Sequence, residues 1–300
     1  MADDSVGVVA HPTSLPSGAE ASAPQREAIE APLFRPPGRK FFELRHDPSR
    51  INTVVLGLVG AAIFVGVWEA GHYLTPEEGR KFLPSVEEVL YALVDLFREQ
   101  DFLDDVIASC IRIFVSFFAA AAVAVPLGVL MGCFSNLRAL LNPTLSGWRY
   151  LPAASFMPLL LVWFGPTDTA KLALLFIGVV FFLTALILDN TEAVPNEFVE
   201  AALTMGASRR EVVLNVVVPA AAPAIFDSMR NMIAVGWTYL VIAEIVGADS
   251  GIGAMMMRAG RTLSVDQIMA GILTIGVLGV LTDILFRIAA RLLLPWAVSR

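Results

Sequence analysis

The residues able to carry chemistry are few, and most of them sit inside apolar runs. Asp227 and Arg230 stand three apart and Asp283 and Arg287 four apart, spacings at which opposite charges meet on one helix face. Such pairs either neutralise each other or line a polar path, because an ionisable group in an apolar span is costly unless paired or hydrated. Arg112 opens one apolar run, Arg149 precedes another, and Glu244 closes a third. Arg112 reads in two ways, as an attractor for an anion at the outer mouth or as a snorkelling interfacial cation. His11, His46 and His72 are isolated, and Cys110 and Cys133 belong to no CxxC or Cys/His set. A triad or a metal relay therefore lacks members, and neither a catalytic residue nor a metal site is expected. No GxxxxGK[ST] phosphate loop occurs, so any ATP that drives this chain binds elsewhere. Gly247, Gly251 and Gly253 superficially match a dinucleotide fingerprint, but no βαβ pattern surrounds them and they read as an outer turn.

The elements that position these residues are membrane helices. Of 300 residues 56% are hydrophobic and 16% charged, a balance outside that of soluble domains. Several runs approach the roughly 20 residues that a bilayer demands. The chain is expected to be all-α and polytopic, with about six transmembrane helices near 53–74, 106–134, 145–165, 172–188, 223–246 and 268–285. Lipid is then an obligatory partner. The net charge of −7 offers no basic surface for nucleic acid. Arg35, Arg39, Lys40, Arg45 and Arg50 precede the first span, and Arg138, Arg209, Arg210, Arg287 and Arg291 fall in every second connection. The positive-inside rule then places both termini in the cytoplasm. Residues 1–50, rich in Pro, Ala and Glu, read as a disordered cytoplasmic tail and 51–300 as the membrane domain. Between spans one and two, Val86, Val89, Leu90, Leu93, Leu96 and Phe97 recur at helical spacing, which predicts an amphipathic helix on the outer surface. The third span holds Pro152, Ser155 and Pro158. Unwound backbone there would need a cavity or protein cover, making 150–163 the preferred pathway segment, with a plain proline kink as the alternative. From 212 to 248 the apolar pattern exceeds one crossing, so its first part is expected along the inner interface.

One polar break stands apart, at about 190–220. Pro195 and Asn196 can start a helix, Phe198, Ala201, Ala202 and Met205 fall on one face, and Gly206 supplies a stop. Ser208 with Glu211 three residues on is a capping box that starts a second helix. Small residues at Ala201, Ala202 and Gly206 would let a partner protein approach closely; an ordinary inter-span loop fits the same spacing.

Glu200-Ala201-Ala202, Gly206 with Ala207, and the later Val216-Val217-Val218-Pro219 resemble the EAA loop of binding-protein-dependent ABC importers. The likeness extends over Phe82-Leu83-Pro84-Ser85-Val86, the run from Arg149 and Tyr150 to Leu159, Val162-Trp163-Phe164-Gly165, Trp237-Thr238-Tyr239-Leu240 with Glu244, and Gly251-Ile252-Gly253. Together these resemble permeases of the nitrate, sulfonate, taurine and bicarbonate branch of type I importers. The resemblance implies a transport subunit of the bacterial inner membrane without enzymatic activity of its own. It implies a homodimer, ABC ATPase subunits that hold ATP and magnesium, and a periplasmic or lipid-anchored solute-binding protein. Glu200, Ala201, Ala202, Gly206, Ala207 and Pro219 would couple to the ATPase. Arg149, Tyr150, Pro152, Ser155, Pro158, Trp163, Trp237 and Glu244 are pathway candidates, Glu244 as a gate or subunit contact. The reading from another class is a secondary carrier driven by an ion gradient, for which an inverted repeat would be expected and none is apparent.

Overall fold

A computed structural model of the chain describes residues 49–247 and 249–297. The expected N-terminal tail and its basic residues up to Arg45 lie outside them. Every regular element among the described residues is a helix, and from Gly57 onward they form one compact unit. Five helices are long and apolar enough to cross a bilayer. In chain order the helices are α1 (Arg50–Leu74), α2 (Glu77–Arg80), α3 (Val86–Glu99), α4 (Phe102–Cys133), α5 (Ser135–Trp148), α6 (Met157–Phe164), α7 (Asp168–Glu192), α8 (Asn196–Thr204), α9 (Arg209–Val212), α10 (Val218–Gly247), α11 (Ile252–Arg261) and α12 (Val265–Leu293).

The centre is a three-helix packing of α4, α7 and α10. Ile113, Phe117, Ala120 and Ala124 of α4 meet Leu175, Val179, Leu183 and Ile187 of α7 and Ile225, Ile233, Trp237 and Leu240 of α10. Gly128 lies so close to α7 that a Cβ there would stand 2.8 Å from the Thr184 carbonyl oxygen. That approach matters in lipid, where helices gain association from close van der Waals packing and not from expelling water. The outward faces carry Phe64, Val67, Val115, Phe118, Val277, Val280 and Leu281, all exposed, as a bilayer would solvate them.

The chain runs α4 and α7 in the same direction, so residues 134–167 must return across the molecule. The third crossing is not one helix. α5 already begins at Ser135, the chain unwinds at Arg149–Pro152, Ala153–Phe156 form a 3-10 turn, and α6 completes the return. The expected break at Pro152 is present, whereas Pro158 breaks nothing. It occupies the first turn of α6, where a missing N–H has no intrahelical partner to lose.

Two other expectations are corrected. The 212–222 stretch does not separate from the fifth span: Arg209–Val246 is one 38-residue rod, ~57 Å long at helical rise, well beyond a ~30 Å hydrocarbon core. Val213–Val217 form a π turn whose closing bond runs from the Val218 N–H to the Val213 carbonyl. The wider turn brings Pro219, which has no N–H and would crowd the carbonyl four residues back, into a continuous helix. Second, the apolar face of α3 does not lie free at a surface. Val89, Ala92 and Leu96 pack with Ile252, Met255 and Ala270 of α11 and α12. The segment before α3 is tied to α1: Trp68 Nε1 donates to the Pro84 carbonyl (2.8 Å), and the Val86 N–H to Glu69 Oε1 (2.7 Å).

Candidate functional site: a coupling turn and a buried ion cluster

The two sites occupy opposite ends of the three central helices. At one end, α4 and α7 finish and α10 begins, and there the chain builds the α8–α9 turn. The α8 helix stops through a Schellman arrangement. The Gly206 N–H bonds the Leu203 carbonyl (3.0 Å) and the Ala207 N–H reaches back to the Ala202 carbonyl (3.0 Å). Both bonds require a left-handed residue at the corner, and Gly206 has φ +87°. Two residues on, Ser208 Oγ accepts from the Glu211 N–H (3.4 Å) while Glu211 Oε2 accepts from the Ser208 N–H (2.8 Å), the reciprocal cap that starts α9.

The small face of α8 is split. Ala202 is only 5% exposed, packed with Val212 and Val217, and so belongs to the seat of the turn rather than to its outer surface. Phe198, Glu200, Ala201, Met205 and Gly206 are exposed, Ala207 is half-buried, and nothing stands within 4 Å of a Cβ built at Gly206. Beside the turn is a cleft of about 590 Å³ whose rim carries Arg138, Glu192 and Arg209, the first two ion-paired. Pro219 lies just past the π turn at the root of α10.

At the other end, where α4 and α7 start and α10 finishes, ionisable groups are drawn into the core. Glu244, 1% exposed, accepts from Ser109 Oγ (2.8 and 2.9 Å), from Arg112 Nη1 (2.8 Å) and from the Gly253 N–H (2.9 Å). Arg112 also donates through Nη1 to the Ser250 carbonyl (2.9 Å) and through Nη2 to Ser250 Oγ (2.8 Å). Asp105 accepts from the Gly251 N–H and from Arg258 Nη2, both at 2.6 Å. Three polar positions of α4, Asp105, Ser109 and Arg112, thus clasp the turn between α10 and α11, while Ser116 donates to the Leu172 carbonyl of α7. Gly251 has φ +112°, and a Cβ on it would run into the Glu244 carboxylate, so only glycine lets the turn close over that group. Arg112 therefore neither snorkels nor stands open to solvent: it is buried and fully engaged. Sequence reasoning did not pair it with Glu244, although Asp105, Ser109, Arg112 and Ser116 recur on one face of an otherwise apolar helix, a signal that the stripe meets polar partners.

The pathway candidates divide between two environments. Arg149, which donates to Ser146 Oγ (3.2 Å), begins the unwound stretch; Tyr150, Pro152, Ser155, Pro158 and Trp163 follow on its exposed side, while Ala153, Met157 and Leu160 face α7 and α10. Trp237 and Glu244 are buried inside the bundle and share no surface with that face. The Asp227–Arg230 and Arg287–Asp283 pairs form (3.3 and 2.6 Å), and Arg230 also lies 3.6 Å from Asp283, linking α10 to α12.

Residues 124–297 match the family described as the binding-protein-dependent transport system inner membrane component. The taurine transport system permease TauC of Escherichia coli K12 is 33% identical over 72% of this chain and 80% of its own length. A putative aliphatic sulfonates transport permease, SsuC of Bacillus subtilis, is 27% identical over 81% of this chain and 88% of its own. Among solved structures, a chain of the MetNI methionine ABC transporter in an inward-facing conformation superposes with a TM-score of 0.53 at 22% identity, covering 71% of this chain and 99% of that one. That likeness is one of fold.

Proposed function

We propose, from the premise that the chain belongs to the binding-protein-dependent transport system inner membrane components, that it moves a small oxyanion, foremost a sulfonate, when an ATPase docks on its α8–α9 turn. The chain is a membrane-spanning permease subunit of an ABC importer of the inner membrane. What is proposed beyond that is the solute, the docking residues, a homodimer with the path at the shared interface, and cytoplasmic termini. A sulfonate is favoured because the relatives TauC and SsuC carry taurine and aliphatic sulfonates by their names. An external binding protein delivers the solute. ATP and magnesium act on the partner ATPase, whose closure pushes α8 and, through the π turn at Val213–Val217, tilts α10.

The observation that carries the docking role is the exposed, small-cornered turn seated on a buried Ala202 at the root of a continuous 38-residue helix. A push on such a rod reaches its far end, where Glu244 sits. Gly206→Val tests it. A β-branched residue at φ +87° is strained, yet its Cβ has no atom within 4 Å and the site is exposed, so the bundle should still insert. The expected result is normal membrane insertion with loss of ATPase co-purification and of uptake. Normal co-purification and uptake would remove α8–α9 as the dock.

A further inference from the structure

Two buried cations converge on one atom at the far end of the molecule from α8. Arg112 Nε (3.0 Å) and Lys171 Nζ (2.9 Å) donate to Asp168 Oδ1, and Arg112 Nη2, which donates to Ser250 Oγ, lies 2.9 Å from the same oxygen. The cations are buried, with side chains 6% and 5% exposed, whereas the Asp168 side chain is 61% exposed. Among the described residues Oδ2 accepts no hydrogen bond, so one carboxylate oxygen holds both cations. Thr167, which precedes α7, makes no side-chain cap to the first turn; its hydroxyl donates to the Phe164 carbonyl instead.

The charges close only with Asp168 in place. Arg112 and Lys171 supply two positive charges, Glu244 and Asp168 two negative. Glu244 is held by three groups inside the core and cannot leave without stranding buried donors. Asp168 can: it is a short side chain in the first turn of α7, open to solvent on most of its surface. When it swings out, a buried site with one net positive charge and two convergent donors, Arg112 Nε and Lys171 Nζ, remains, the complement of one oxygen of a singly charged group such as a sulfonate.

The geometry points to an oxyanion subsite at Arg112 and Lys171 in which Asp168 is a built-in competitor, displaced when the sulfonate oxygen of an arriving solute takes the place of Oδ1. This rests on the oxyanion reading of the solute given above. The competitor keeps two buried cations paired while no solute is present and weakens retention, which a transporter needs in order to release what it binds.

The test uses the full-length permease purified in detergent, with labelled taurine as probe and equilibrium dialysis as readout. Asp168→Asn keeps the shape and removes the competing charge, and it should bind taurine about tenfold more tightly than the unaltered chain, the scale of one charge-assisted hydrogen bond. Unlabelled inorganic sulfate should displace the probe. Adding Lys171→Gln to Asp168→Asn should abolish the gain, while adding Lys171→Arg should retain most of it and so exclude misfolding as the cause. Binding by Asp168→Asn no tighter than the unaltered chain, or a gain that survives Lys171→Gln, would overturn the subsite. Co-purification of the ATPase with Asp168→Asn, followed in the same preparations, reports separately on the permease assignment: intact co-purification with unchanged binding would sink the subsite alone.

Discussion

Glu244 is buried with a positive partner, a hydroxyl and an amide aimed at it, and its removal would strand the Gly253 N–H and leave Arg112 and Lys171 to share Asp168. Breaking a buried pair from one side costs about 3–5 kcal/mol when the surviving charge is uncompensated, and here Asp168 alone would balance only one of the two buried cations left. Glu244→Ala should therefore lower the midpoint of thermal unfolding in detergent markedly, and Glu244→Gln, which keeps an acceptor oxygen, should lower it less. Equal midpoints for Glu244→Ala and the unaltered chain would mean that the cluster does not hold the α10–α11 turn. At this scale the sequence was only half legible. Arg112 and Glu244 stood out as ionisable residues at span ends, but they lie 132 positions apart and only the fold brings them together. Lys171 carried no mark at all, since a lysine one turn inside an apolar helix reads equally as an interfacial cation.

Elements whose logic is local were legible. The Ser208–Glu211 box and the Gly206 stop are set by neighbours within five residues, and the structure forms both. Which side of α8 a small residue faces is not local: Ala201 and Ala202 are equally suited to a close contact, and the packing of Val212 and Val217 decides that Ala202 turns inward. This reverses one expectation. Ala202→Asp is not a surface change, because it presses a carboxylate against two valines. It should loosen the whole turn, seen as faster proteolytic cleavage between 195 and 210 with the spans still inserted. Ser208→Ala removes one cap and should weaken the turn by about 1 kcal/mol, giving a smaller increase in cleavage. Unaltered cleavage in both variants would contradict the seat described here. The third crossing was legible as broken but not in its boundaries, since Pro158 serves a helix start as readily as it breaks a helix interior.

For the whole molecule, the all-α class and five of the about six expected spans followed from composition and run length, quantities that lipid constrains directly, whereas the third crossing is made of shorter helices. The proposed orientation rests on arginine placement, and labelling tests it. With Cys110 and Cys133 replaced by serine, a cysteine at Ser85 should react with an impermeant thiol reagent in spheroplasts, and one at Ser208 only after permeabilisation. The reverse pattern would invert the topology. The central claim is that ATP, acting through a separate subunit on the α8–α9 turn, drives solute across this bundle. It is tested most directly in proteoliposomes holding the permease and its ATPase, with the binding protein outside, ATP inside, and labelled taurine, nitrate and bicarbonate offered in turn. The account predicts accumulation of at least one of them that needs ATP, the ATPase and the binding protein together and is indifferent to imposed proton or sodium gradients. Accumulation by the permease alone under an ion gradient, without ATP, would contradict it and identify a secondary carrier.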